Sequence, residues 1–247
     1  MIGGIGKRGH RALAETSCDA GNARRSIPAT VTPWTGNALG SLRVGLLGGS
    51  FNPAHEGHRH ISLVAMARLG LDAVWWLVSP QNPLKAPAGM APIDRRMASA
   101  KAMARHPRIV VTNIERRLST RYTLDTVRRL AASHPKCRFV WLMGADNLAQ
   151  MDKWSRWTQL FRQLPIAIVS RRPYSLRVVN CKAATVFAAN RVPEERAAGL
   201  AGLLPRSPAK MTGPAWTMLH GPDHPGSATA LRQGGWQDRR DSWITYI

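Results

Sequence analysis

The stretch Val44-Gly45-Leu46-Leu47-Gly48-Gly49-Ser50-Phe51-Asn52-Pro53-Ala54-His55-Glu56-Gly57-His58 decides how the chain is read. An apolar run enters two glycines, and a polar turn follows. Two histidines spaced i and i+3 then open a segment whose apolar residues, Ile61, Val64, Ala65 and Leu69, recur with helical period. Strand, glycine turn and helix start form a layout that binds phosphate. Glycines let backbone N–H groups approach an anion, and a helix N-terminus adds unpaired N–H donors at the positive end of its dipole. Histidines at that point donate to phosphate oxygens and stabilise charge developing in phosphoryl chemistry. A metal site is the weaker alternative. Glu56 adjoins His55, which breaks the H-E-x-x-H zinc spacing, and no cysteine lies near His55, His58 or His60.

Outward from this stretch, strand and helix patterns alternate. Strands are expected at Arg43 to Leu47, Ala73 to Ser79, Arg108 to Asn113, Arg138 to Met143 and Ile166 to Ser170. Helices are expected over Gly57 to Leu69, Ile93 to Arg105, Leu124 to Ser133 and around Trp154 to Gln163. The second strand, Ala-Val-Trp-Trp-Leu-Val-Ser, is apolar nearly throughout, which suits burial on both faces. Repeated βα units imply a doubly wound α/β fold, a Rossmann-like parallel sheet with helices on both faces. Ligands of such sheets sit beyond the carboxyl ends of the strands, where the strand order reverses. Gly48-Gly49-Ser50, Ser79-Pro80-Gln81-Asn82, Gly144-Ala145-Asp146 and Ser170-Arg171-Arg172 all follow strands on that one edge. Past Pro173 the pattern weakens. A helix over Glu194 to Leu203, a short strand over Ala215 to Leu219 and a capped helix start at Gly226-Ser227 are expected.

Gly48-Gly49-Ser50-Phe51-Asn52-Pro53-x-His55-x-Gly57-His58 resembles the signature of the HxGH nucleotidyltransferases, and more narrowly of the bacterial nicotinate-nucleotide adenylyltransferases. The resemblance continues in order through Asn82-Pro83-x-Lys85, Asp94-Arg95-Arg96, Tyr122-Thr123-x-x-Thr126, Gly144-Ala145-Asp146-Asn147-Leu148, Trp154, Arg172-Pro173 and Ser227-Ala228-Thr229-x-x-Arg232. Arg121 stands where that family usually has Ser, and Gly226 where it has Ile. The resemblance implies transfer of the adenylyl group of ATP to nicotinate mononucleotide, giving nicotinate adenine dinucleotide and pyrophosphate in NAD biosynthesis. His55 and His58 would be catalytic. Gly48, Gly49, Ser50, Phe51, Asn52, Lys85, Gly144, Asp146, Ser227, Thr229 and Arg232 would bind ATP and its phosphates. Thr123, Trp154 and Arg172 would bind the nicotinate nucleotide. Mg²⁺ would arrive with ATP, held largely by substrate and water. Taken singly, Asp146 reads equally as a helix cap, Trp154 as a core residue and Ser227-Ala228-Thr229 as an ordinary cap.

Composition sets the surroundings. At 247 residues, one domain over 43–247 is the default, with residues 1–42 a disordered N-terminal extension rich in small residues and arginine. Apolar content of 44% is that of an ordinary globular protein, and no run is long enough to span a membrane. Three cysteines without a C-x-x-C pair fit a reducing cytoplasm. The net charge of +21 draws polyanions, either nucleotides or nucleic acid. Its dispersal along the chain argues against a dedicated nucleic-acid partner, and a homo-oligomer is left open. Two rivals remain: another HxGH enzyme such as phosphopantetheine adenylyltransferase, and a basic nucleic-acid-binding protein without turnover.

Overall fold

The computed structural model describes residues 42–80, 89–170, 180–199 and 215–221. Six strands form one sheet: β1 (Arg43–Gly49), β2 (Ala73–Val78), β3 (Ile109–Thr112), β4 (Arg138–Gly144), β5 (Ile166–Val169) and β6 (Trp216–Leu219). Their order is β3-β2-β1-β4-β5-β6, and every neighbouring pair is parallel. This is the doubly wound order expected from the alternating pattern. Strand order reverses between β1 and β4, in register from Arg43↔Arg138 to Leu47↔Leu142.

Strand periodicity sorts the core into two layers. Val44 and Leu46 of β1, Trp75 of β2, Phe139, Trp141 and Met143 of β4, and Ile166 and Ile168 of β5 share one layer. Their neighbours Leu47, Trp76, Val140, Leu142, Ala167 and Val169 share the other. Successive strand residues point to opposite faces, so each strand feeds both layers. The first layer is covered by α4 (Thr123–Ser133), through Leu124, Val127 and Leu130, and by α6 (Trp157–Gln163), through Leu160 and Phe161. The second is covered by α1 (Glu56–Leu69), through Ile61, Ala65, Met66 and Leu69, and by α2 (Ile93–Ala104), through Ala100 and Ala104. Burying each large apolar side chain contributes about 1.5–3 kcal/mol.

The short helices α3 (Ile114–Arg117), α5 (Ala145–Leu148) and α7 (Lys182–Val186) add to the expected elements. Two expectations are corrected. Trp154 does not lie on a helix with Gln163. A 3₁₀ turn, Met151–Lys153, ends at Trp154, and α6 starts only at Trp157 because Arg156 is left-handed, with φ 54°. Glu194–Gly199 is 3₁₀ rather than α-helical, and residues 200–214 lie outside the described set. The short strand near Ala215 is β6, the outer member of the sheet. Its flank is closed by Val192, whose N–H donates to Trp216 O at 2.7 Å, and by the Trp216 indole, which donates to Phe187 O at 2.7 Å.

Candidate active site

β1 runs straight through its glycine pair. Gly48 and Gly49 pair with Leu77 and Val78, and the turn begins at Ser50. A packing demand explains Gly48: a Cβ there would lie 2.6 Å from the Trp141 ring on β4. The chain then turns at Phe51, which takes a left-handed φ of 47° and is 1% exposed. The Phe51 ring stacks on Trp76 at 5.1 Å and lies 4.6 Å from the His58 ring. Asn52 braces the turn against the segment leading to α2. Its Nδ2 donates to Gly89 O at 2.9 Å, and its Oδ1 accepts from Ala91 N–H at 3.3 Å. Phe51 and Asn52 therefore shape the turn with their side chains.

His55 is the N-cap of α1, in extended backbone, and His58 is its third helical residue. Their ring centroids are 3.9 Å apart. The His55 backbone N–H donates to Nδ1 of His58 at 3.2 Å. With Nδ1 accepting, a neutral His58 ring carries its proton on Nε2, so Nε2–H is the donor this imidazole offers. A second layer fixes the same turn. The Trp76 indole donates to Ser62 Oγ at 2.8 Å, and Ser62 Oγ donates to His58 O at 2.9 Å. Glu56, between the histidines, is paired with Arg59 and Arg105, which limits its opposition to an anion at the helix start.

The neighbouring strand end supplies the second wall. β4 ends at Gly144, the N-cap of α5, and Asp146 lies in the first turn of that helix, half-buried. Asp146 thus sits inside the helix rather than capping it. Trp154 meets Trp141 edge-on at 6.2 Å, so one indole separates Gly48 from Trp154. Trp154 is half-buried, packed on the core along one side. Thr123 opens α4 beside Tyr122, whose ring has Arg121 at 5.8 Å and Arg156 at 5.9 Å. Thr126, from the same motif, is fully buried and shares a 2.8 Å hydrogen bond with Thr120. Lys85, Arg172, Ser227, Thr229 and Arg232 lie outside the described residues.

Two buried charges escaped the sequence reading as site components. Arg96 on α2 is 2% exposed and donates to four main-chain carbonyls, three of them in the turns after β1 and β2. Glu115 on α3 is 7% exposed and accepts from the Ser79 hydroxyl. Burial pushes its carboxyl up to about 7, against a smaller lowering by that hydrogen bond.

Comparisons with known proteins converge on one family. The cytidylyltransferase-like family model matches residues 46–234. A protein of Parvibaculum lavamentivorans described as a probable nicotinate-nucleotide adenylyltransferase is 52% identical over 199 residues, covering 80% of this chain and 95% of its own. This chain belongs to the nicotinate-nucleotide adenylyltransferase family. A relative so described from Cereibacter sphaeroides is 50% identical, covering 78% of this chain and 97% of its own. Among solved structures, the Plasmodium falciparum nicotinic acid mononucleotide adenylyltransferase complexed with APC aligns with TM-score 0.50 and 14% identity. That alignment covers 74% of this chain and 76% of that one, and at this identity it bears on the fold alone. The nicotinate-nucleotide adenylyltransferase fold is thus reached from sequence relatives and from shape.

Proposed function

We propose that this chain transfers the adenylyl group of ATP to nicotinate mononucleotide, forming nicotinate adenine dinucleotide and releasing pyrophosphate. The observation that carries the reading is the His55–His58 pair at the start of α1, at the point where strand order reverses. In this reaction a phosphate oxygen of the acceptor bonds to the α-phosphorus of ATP. The bond from that phosphorus to the bridging oxygen breaks, and pyrophosphate leaves with the electron pair. The attacking oxygen is already anionic, so no general base is needed, and catalysis is orientation plus charge stabilisation.

In this reading Nε2–H of His58 and the ring of His55 donate to the α- and β-phosphates, and the N-terminus of α1 faces the same charge. Gly48, Gly49, Ser50 and the walls at Gly144 and Asp146 border the nucleotide. Thr123 and Trp154 border the acceptor ring, with Tyr122 and Arg121 beside Thr123. ATP enters as its Mg²⁺ complex. The ion is held largely by the triphosphate and water. A cytoplasmic location goes with this reading, on the cysteine usage.

Pyrophosphate release decides the matter, measured with ATP and three acceptors: nicotinate mononucleotide, nicotinamide mononucleotide and phosphopantetheine. Backbone donors that suit a carboxylate leave one donor unpaired against an amide, which costs on the order of 1–3 kcal/mol. We expect kcat/KM to favour the acid by about 10- to 10²-fold. Equal values, or a preference for either other acceptor, would overturn the substrate assignment.

A further inference from the structure

We propose that Arg96 is a positioning residue, one that sets the phosphate end of the ATP site by locking the turns after β1 and β2 into one arrangement. Its Nη1 donates to Ser50 O and to Ser79 O, each at 2.7 Å. Its Nη2 donates to Pro80 O at 2.9 Å, and its Nε to Ala91 O at 2.8 Å. Four of its five N–H groups thus end on main-chain carbonyls of three separate segments. Ser50 follows the strand that leads to the histidines. Ser79 and Pro80 follow the adjacent strand, on the same carboxyl edge of the sheet.

The surrounding contacts converge on these turns. Glu115 holds Ser79 by its hydroxyl while Arg96 holds it by its carbonyl. Asn52 ties the first turn to Gly89 and Ala91, beside the carbonyl that Arg96 Nε takes. The planar fork of a guanidinium reaches several acceptors in fixed directions, whereas an ammonium offers three donors from one point and cannot span this set. Because the gripped carbonyls lie on the ligand edge, loosening them displaces the ATP site before it disturbs the core. The acceptor side, built on α4 and the turn at Trp154, makes none of these bonds.

The inference rests on the adenylyl-transfer reading for the identity of the nucleotide. The test uses the full chain carrying Arg96→Lys, with the exposed neighbour Arg95→Lys as control. Thermal melting, calorimetric binding of a non-hydrolysable ATP analogue with Mg²⁺, and KM for both substrates are measured. We expect cooperative melting, a rise in KM and Kd for the ATP side of about tenfold or more, and an unchanged KM for the acceptor. The Arg95 control should match wild type. A residue that only holds the fold would lower the active fraction and leave KM alone. In Arg96→Ala, millimolar ethylguanidinium should restore part of the ATP affinity, and methylammonium should not.

A folded Arg96→Lys protein with wild-type ATP affinity, or with both KM values raised alike, overturns the proposal. If Arg96→Lys does not melt cooperatively, the decision passes to Arg96→Ala, where ethylguanidinium that restores melting but not ATP affinity overturns it. ATP binding by the wild type without transfer to nicotinate mononucleotide overturns the functional reading alone, and the affinity comparison still decides Arg96. Absence of ATP binding by the wild type overturns both.

Discussion

Replacing Glu115 with Gln should stabilise this protein increasingly as pH rises from 4.5 to about 7, and by a constant margin above that. The carboxyl is 7% exposed on α3, and burial raises it from 4.5 to about 7. Between those two values the folded protein keeps a proton that the unfolded chain releases. Unfolding therefore liberates protons, and stability falls as pH rises; the loss starts above 4.5 and is complete above about 7. At about 1.4 kcal/mol per pH unit across that window, the accumulated penalty is about 3 kcal/mol. Glutamine has nearly the same shape, still accepts from the Ser79 hydroxyl and never ionises. At pH 5 the variant should lead by only about 1 kcal/mol or less. By pH 8 the variant should lead by up to about 3 kcal/mol, or roughly 6–12 °C in Tm for a domain of this size. Urea unfolding followed by circular dichroism at pH 5, 6, 7 and 8 measures this directly. Parallel stability profiles for the two proteins would show that Glu115 does not titrate across that window.

His58→Ala should lower kcat by roughly 10²-fold or more, as loss of a transition-state donor does, with the melting curve kept; near-normal turnover in a folded variant would remove His58 from the chemistry. Gly48→Ala forces a methyl to within 2.6 Å of the Trp141 ring, so denaturant titration should show a loss of about 1–3 kcal/mol, and an unchanged midpoint would mean that the indole moves aside freely. A chain beginning at Ser41 should keep cooperative melting and pyrophosphate release, since the compositional reading gives residues 1–42 no part in the domain; loss of either would show that they pack on it.

The sheet was legible because its strands carry their own signal. Val44 to Leu47, Ala73 to Val78 and Phe139 to Met143 are short apolar runs, each bounded by glycine or polar residues, and no amphipathic helix produces such runs. The histidine pair was legible because its meaning is local: two residues one turn apart at a helix start. The buried charges were not. Arg96 stands in Asp94-Arg95-Arg96, a run the family resemblance includes without saying which charge is buried, and Glu115 precedes the exposed Arg116 and Arg117, in a run given no reading. Only the packing of α2 and α3 against the sheet decides which charge turns inward. Gly48 was read as freedom for a backbone near an anion, but the Trp141 ring that occupies its missing side chain lies on β4, far along the chain. Arg156 broke the expected helix at Trp154 because nothing in the local sequence announces a left-handed residue there.

The strand order has a consequence for how the protein is made. β1, β2 and β3 are synthesised in succession and can pair as soon as they emerge. β1 is the middle of the final sheet, and its other edge pairs with β4. Until Arg138 and the residues after it leave the ribosome, the backbone groups of Val44 to Leu47 on that side face solvent or a wrong partner. At roughly 5–20 residues per second, the interval from Thr112 to Arg138 lasts on the order of seconds. An apolar strand with an open edge is a template for aggregation. The β1–β4 seam is also the one beside the histidines, so the nascent half-protein carries the turn after β1 without its second wall. The helix start and the Arg96 contacts are encoded within the first half, and the space between the ends of β1 and β4 is walled on both sides only when the second half docks.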